Sequence, residues 1–362
     1  MCNFKSALVI RDESRKGGFE LFLSPWTEHH STLMVMRGIK DGDRINCARV
    51  EFSPPDLSTA DKVETYKLRL DEDRKPEWWS DEMAESVAKK MAVYIKSIII
   101  SGDAAILIGG QFILASDAKV ESAENCIITA MLDSSQVGEM LGSSQVGTML
   151  GSSQVGTMRD SSQVGTMMGS SQVGTMLGSS QVGTMRDSSK VGTMWESSKV
   201  GTMRESSQVG TMLGSSKVGE MWDSSKVGMM RESSKVGEMW ESSKVGEMWD
   251  SSRVGMMRES SKVGEMWNSS KVGEMMGSSR VGMMWDSSRV GTMWESSKVG
   301  EMMGSSMVGT MWGSSQVGEM MGSSRVKTMW DSSQVGTMWV SSQVGEMMGS
   351  SMVENDKRAK KP

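Results

Sequence analysis

The sequence predicts a mainly β protein: a parallel β-solenoid in which two nonapeptides, about 18 residues, make one coil, preceded by a small α+β N-terminal domain. Three observations predict it. From Ser134 to Ser350 the register Ser-Ser-x-Val-Gly-x-Met-x-x restarts every nine residues, giving 25 starts and 24 complete units without a slip. The composition follows the repeat, with 40 Met, 40 Gly and 13 Trp against 5 Phe and 2 Tyr in 362 residues. Residues 1–97, by contrast, carry no repeat and mix helical with strand periodicities.

The head domain, residues 1–97, reads as alternating strands and helices. Phe4–Ile10 and Phe19–Leu23 form two paired strands, and Ser24 with Pro25 offers an N-cap and first-turn proline for a short helix ending at Gly38. Ile45–Phe52 and Thr65–Leu70 add two further strands, the second alternating at Tyr66, Leu68 and Leu70. Ser80 caps a helix running to about Ser97, with Met83, Val87, Met91 and Tyr94 or Ile95 on one face.

Residues 98–133 read as degenerate capping coils. Asn125–Asp133 is in phase with the array, Ile128 standing at the Val position and Met131 at the Met position. Asp117–Glu124 is a poorer copy one residue short, with Val120 as its apolar residue. Terminal repeats of this kind protect an open sheet edge. Ile98–Ala115 is apolar, but Asp103, three glycines and Gln111 break it, whereas a membrane-spanning helix needs about 20 apolar residues; buried strands fit it better.

In the array, residues 134–353, both Ser positions and Val at four are invariant, Met at seven holds in all complete units, and Gly at five fails only at Lys327. A helix is excluded because nine residues are two and a half turns, which throws Val and Met to opposite sides in alternate units. Disorder is disfavoured by the apolar pair in every unit. Strand alternation points the second Ser and the Val inward, Gly at five turns a corner by positive φ or close backbone approach, and Met points inward from a second short strand. Position nine and the next Ser make the second corner. With strands stacked about 4.8 Å apart, the array would form a rod on the order of 60 Å long. Residues 354–362 are a charged tail that protects the last edge.

Residues 18 apart then become neighbours. Position eight aligns Trp249, Trp267 and Trp285 in one column and Trp294, Trp312 and Trp330 in another. These six are candidate binding residues for sugar rings or aromatic ligands, with sheet-stabilising stacks as the plainer reading. Lys or Arg at three, Glu at six and Asp or Glu at nine read as a charge-balanced surface with no stripe of one sign. Calcium rolls need a recurring Asp ligand position that this register lacks, and ice binding needs a continuous Thr row, whereas Thr at six runs only from Thr148 to Thr211 before giving way mostly to Glu and Met.

The net charge of -5 is nearly balanced, which disfavours a general electrostatic binder of nucleic acid or anionic membrane. Cys2, Cys47 and Cys126 form no CxxC pair, and the N-terminus lacks a signal-peptide core, so a reducing, cytoplasmic setting is expected, with no metal and no cofactor.

MCNFKS at the start, RVEFSPP (Arg49–Pro55), LRLDED followed by PEWW (Leu68–Trp79) and the SSxVGxM repeats together resemble a family of phage, prophage and bacterial proteins. The resemblance implies a phage or bacterial host and no particular activity.

Two functions are expected as alternatives. In the first, the chain is a non-catalytic structural or protein-interaction protein: the solenoid presents variable positions, and the head docks a protein partner or another copy. In the second, it is a hydrolase or amidotransferase of the N-terminal-nucleophile type, in which Cys2, exposed by loss of Met1, is the nucleophile and His29 or His30 the base. No acid, oxyanion donor or glycine-rich turn can be assigned beside them.

Overall fold

The computed structural model describes residues 4–40, 46–339 and 341–358. It divides into two compact units, Met1–Gly138 with Ser143–Ser153, and Glu139–Gly142 with Gln154–Pro362.

In the first unit, β1 (Lys5–Arg11), β2 (Phe19–Phe22), β3 (Cys47–Ser53) and β4 (Lys67–Leu70) form an antiparallel sheet of order β2-β1-β3-β4. The helix α1 (His30–Arg37) ends on Gly38, whose φ of 72° closes the last turn, a conformation glycine adopts without a Cβ clash. The longer helix α2 (Asp81–Ile98) starts at Ser80, whose side chain accepts a hydrogen bond from the Met83 N–H. Its helical spacing buries Val87, Met91, Ile95 and Ile98 in one core with Phe4, Val9, Phe52, Tyr66 and Trp79.

One head element differs from the sequence expectation. The short helix begins at His30 rather than near Pro25, and its N-cap residue His29 makes no side-chain cap. The reason is a buried ammonium. Lys5, 1% exposed, donates to the Ser24 carbonyl at 2.6 Å, Glu28 Oε1 at 2.8 Å and Gln111 Oε1 at 2.8 Å. Residues 24–29 therefore wrap around a charge, and Ser24 Oγ accepts from the Trp26 N–H instead of capping a helix.

Coiling starts directly after α2. Strands β5 (Ile99–Ile100), β7 (Gln111–Leu114) and β9 (Ile127–Met131) stack in parallel in one sheet, while β6 (Asp103–Ile108) and β8 (Lys119–Glu124) stack in the other. The offset between stacked partners grows along the chain. Ile99 pairs with Ile113, Gln111 with Ile127 and Val146 with Ile128. No helix among the described residues is long and apolar enough to cross a membrane.

The second unit is a parallel β-solenoid. Successive nonapeptides alternate between two sheets, so that each strand pairs with the strand 18 residues away, as in Val155 with Val173 and Met158 with Met176. Each unit gives one five-residue strand from position three to position seven, such as Lys244–Met248. The Ser at two, Val at four and Met at seven are buried from unit to unit. Each fully buried Val or Met contributes about 1.5–3 kcal/mol, and the unbranched thioether fills whatever space the coil leaves.

The bend at Gly differs from expectation. Val at four and Met at seven both face inward, so the two residues between them cannot follow strict alternation. The backbone bends there inside a single strand, and the pairing register passes over position five. No described Gly at this position has positive φ. Close approach is what requires glycine: a Cβ on Gly264 would lie 2.5 Å from the Gly246 carbonyl oxygen of the preceding coil.

Positive φ falls at position nine instead, on Gly178 and Gly214 but also on Asp187, Glu205, Asp223, Glu241 and Glu259. The turn is closed by the Ser N–H at position two donating to the carbonyl at eight, as in Ser198 to Trp195 at 3.2 Å. In the last coil the inward row reaches its end, and Met347 is 43% exposed.

Candidate functional site

In the head, the two histidines have different surroundings. His29 is exposed. His30 is buried, with Nδ1 3.1 Å from Asp71 Oδ2 and Nε2 3.1 Å from the Val50 carbonyl. Both ring nitrogens face oxygen atoms. His30, Glu51 and Asp71 each bring one ligand atom within 4.8 Å of the others, and this set is where a cation would sit in the head if one were held. Cys2 lies outside the described residues. Cys47 and Cys126 are buried, and burial pushes the Cys126 thiol up, away from the thiolate that a nucleophile needs.

The Lys5 cluster is the most buried charge in the head. Glu28 Oε2 accepts from the Ser6 N–H at 2.6 Å, and Gln111 Nε2 donates to Glu28 Oε1 at 3.0 Å and Thr129 Oγ1 at 2.9 Å. Desolvation lowers the Lys5 pKa and raises that of Glu28, each partly opposed by attraction to the other. Every oxygen and nitrogen of this pair has a protein partner aimed at it, which marks it as an organiser of the fold.

On the solenoid, each variable position becomes a column of residues 18 apart. At position eight, Trp249, Trp267 and Trp285 stack with ring centroids 4.9 and 4.8 Å apart and planes within 4°. Trp294, Trp312 and Trp330 stack at 5.4 and 4.8 Å. A third pair, Trp222 and Trp240, stacks at 4.7 Å. Both faces of Trp267 and of Trp312 are occupied by neighbouring rings, so these columns turn edges to solvent. Arg258 lies over Trp240 at 4.2 Å and Arg231 over Trp249 at 5.8 Å, covering ring faces at the ends of two stacks with a cation–π contact.

Position six supports position eight within the same unit. The indole N–H groups of Trp222, Trp240, Trp249 and Trp267 donate to Glu220, Glu238, Glu247 and Glu265 at 2.8 to 3.1 Å. Trp285 has Met283 at that place, and its indole nitrogen is buried with no hydrogen-bond partner.

Position nine supports the turn of the coil before it. Glu205 accepts from the Asp187 N–H at 2.8 Å, Asp223 from the Glu205 N–H at 2.9 Å and Asp250 from the Glu232 N–H at 3.2 Å. A left-handed conformation costs an ordinary residue about 1–2 kcal/mol, and these charge-assisted bonds offset it.

Position three overturns the expectation that no stripe of one sign forms. On one sheet the pairing register stacks Lys199, Lys217, Lys235, Arg253, Lys271 and Arg289 in unbroken order. On the other it stacks Lys226, Lys244, Lys262, Arg280 and Lys298. Beside each ladder the bare Gly column leaves a trough, about 470 Å³ along the first sheet and about 440 Å³ along the second. Reading along the chain mixes these cations with the acids at six and nine, whereas the fold sorts them by column.

No protein family model, curated protein or solved structure matches the chain.

Proposed function

We propose that the chain is a non-catalytic scaffold: its solenoid presents positions three, six, eight and nine to a partner, and its α+β head docks a protein or a second copy of the chain. The observation that carries this reading is the division within each unit. The invariant Ser at two, Val and Met are buried, and residues that change from unit to unit point outward. A surface that varies over an unchanging core serves recognition, because the core supplies the same stability whatever the surface displays. The Trp columns belong to that surface as edges and as spacers between charged rows. A bacterial cytoplasm, in line with the resemblance to phage and bacterial proteins, suits the reading, which calls for no cofactor, nucleic acid or membrane.

The test is the Cys2→Ala variant of the full chain, with intact mass and labelling by an electrophilic thiol probe. A scaffold keeps all binding in this variant, and its Cys2 reacts no faster than an ordinary exposed thiol. A hydrolytic activity present in the parent and abolished in Cys2→Ala, with the fold unchanged, would show the chain to be an enzyme.

A further inference from the structure

The ten units from Lys217 to Lys298 all carry Lys or Arg at position three, flanked by Gln208 on one side and Met307 on the other. The two ladders therefore span the same ten units, one on each sheet, each about 24 Å long at a strand spacing of about 4.8 Å. Like charges directly opposite each other on a sheet repel. Among the described residues none of these ten side chains forms a salt bridge. Of the acids at position six in these units, Glu220, Glu238, Glu247 and Glu265 accept from the Trp indoles at position eight, and neither these nor Glu274 and Glu301 form a salt bridge with a ladder cation. Arg253, Lys271 and Arg289 border one trough beside Val and Gly, and Arg280 and Lys298 border the other, which continues past Gln316 and Gln334 to Glu354.

We propose that each trough binds a linear acidic polysaccharide, its sulfates or carboxylates pairing with successive ladder cations and its sugar rings lying on the bare Gly column. This rests on the scaffold reading and names the partner of that surface. Charge complementarity selects a polyanion, and the straight ladder selects an extended one. A nucleic-acid strand fits less well. A duplex strand carries a phosphate every 3.4 Å or so along its axis, out of step with a repeat of about 4.8 Å. Single strands bind by stacking bases on aromatic faces, and the residues lining the troughs include no aromatic. An exposed contact to one cation is weak, but the two or three cations lining a trough, continued by the rest of the ladder, multiply the weak contacts on one extended chain.

The experiment uses the full chain, with a size-defined heparin oligosaccharide, polygalacturonate, neutral dextran and oligo-dT as probes in titration calorimetry at several salt concentrations. The test variant replaces Lys217, Lys235, Arg253, Lys271 and Arg289 by Gln, the residue that position three carries from Gln136 to Gln181 in the same fold. A matched variant with Lys217→Arg, Lys235→Arg and Lys271→Arg keeps the charge. The parent is expected to bind both acidic polysaccharides and not dextran. The Gln variant should lose at least tenfold affinity for the altered trough, with a shallower dependence on salt by about 0.7 per lost contact, while the Arg variant keeps parental affinity. The proposal is overturned if neither acidic polysaccharide binds at about 0.1 M salt, where exposed charges still act over about 10 Å. It is also overturned if the Gln variant keeps the parent's number of binding sites at parental affinity, or if oligo-dT binds more tightly than both. The scaffold reading is decided separately by Cys2→Ala, which touches neither ladder.

Discussion

Replacing Gly264 by Ala tests what the glycine at position five does. The new Cβ would stand 2.5 Å from the Gly246 oxygen and 3.5 Å from the Gly246 carbonyl carbon, whereas unstrained carbon–oxygen contacts between strands lie at about 3.3–3.6 Å. Both partners are backbone, so no side chain can swing away. Relief requires the coils to separate locally, against the Lys262 N–H to Ser243 bond at 2.9 Å and the Trp267 N–H to Met248 bond at 2.8 Å. Overpacking costs about 1–3 kcal/mol, a weakened hydrogen bond adds about 1 kcal/mol, and the reduced freedom of the unfolded chain returns about 0.4–1 kcal/mol. The net loss is about 2 kcal/mol. Hydrogen exchange is the suitable assay because it reads opening locally: amides of Lys244–Met248 and Lys262–Met266 should lose protection while distant coils keep theirs. The converse change, Lys327→Gly, should raise protection around the one unit that departs from the pattern. Unchanged or greater protection in Gly264→Ala would refute close approach as the reason for the glycine.

Three further outcomes follow from single contacts. Met283→Gln gives the buried indole of Trp285 an acceptor of the kind Glu265 provides to Trp267, and thermal unfolding should show a gain of about 1 kcal/mol. Lys5→Met leaves Glu28 buried without its counter-charge, a loss of about 3–5 kcal/mol, visible as a lower denaturation midpoint of the head. At position nine, partial desolvation and the charges of Asp223 and Glu259 raise the Glu241 pKa above its ordinary 4.5. The folded chain therefore holds a proton that the unfolded chain releases, and this contribution to stability falls as pH rises through that window. Glu241→Gln should raise the melting temperature at neutral pH, with the gain disappearing below 4.5.

What was legible in the sequence is what the repeat holds constant. The invariant Ser, Val and Met mark the inward row, and the period marks the coil, because burial leaves those positions no alternative. The stacks of Trp249 with Trp267 and of Trp294 with Trp312 follow from that period alone. The start of α1 was not legible. Ser24-Pro25 is a sound local signal for a helix start, but Lys5 claims the Ser24 carbonyl and Glu28 together with Gln111, a residue 106 positions away. The pairing of Glu220 with Trp222 and of Glu265 with Trp267 could have been read from the chain, since acid and indole stand two residues apart in the same unit. The cation ladders were readable from the same 18-residue period, since Lys217, Lys235 and Arg253 stand 18 apart; reading along the chain hid them because the acids at six and nine lie between.

The repeat is nine residues, but the surface repeats at eighteen, and this makes the array two interleaved texts. At position nine, one column runs Asp187, Glu205, Asp223, Glu241 and Glu259, all acidic, while the other runs Gly178, Glu196, Gly214, Glu232 and Asp250. At position eight, the first column carries Trp222, Trp240 and Arg258 while the second carries Arg231, Trp249 and Trp267. A shift of one unit would exchange the two sheets' surfaces, and a shift of one coil would not. Deleting a single nonapeptide between Lys217 and Lys298 would therefore preserve every inward contact type and the cation ladders, while joining each column at eight and nine to the other sheet's column. A two-unit change would only lengthen or shorten the ladders. Recognition through positions eight and nine thus depends on the parity of the repeat number, whereas the cation ladders and the buried core do not.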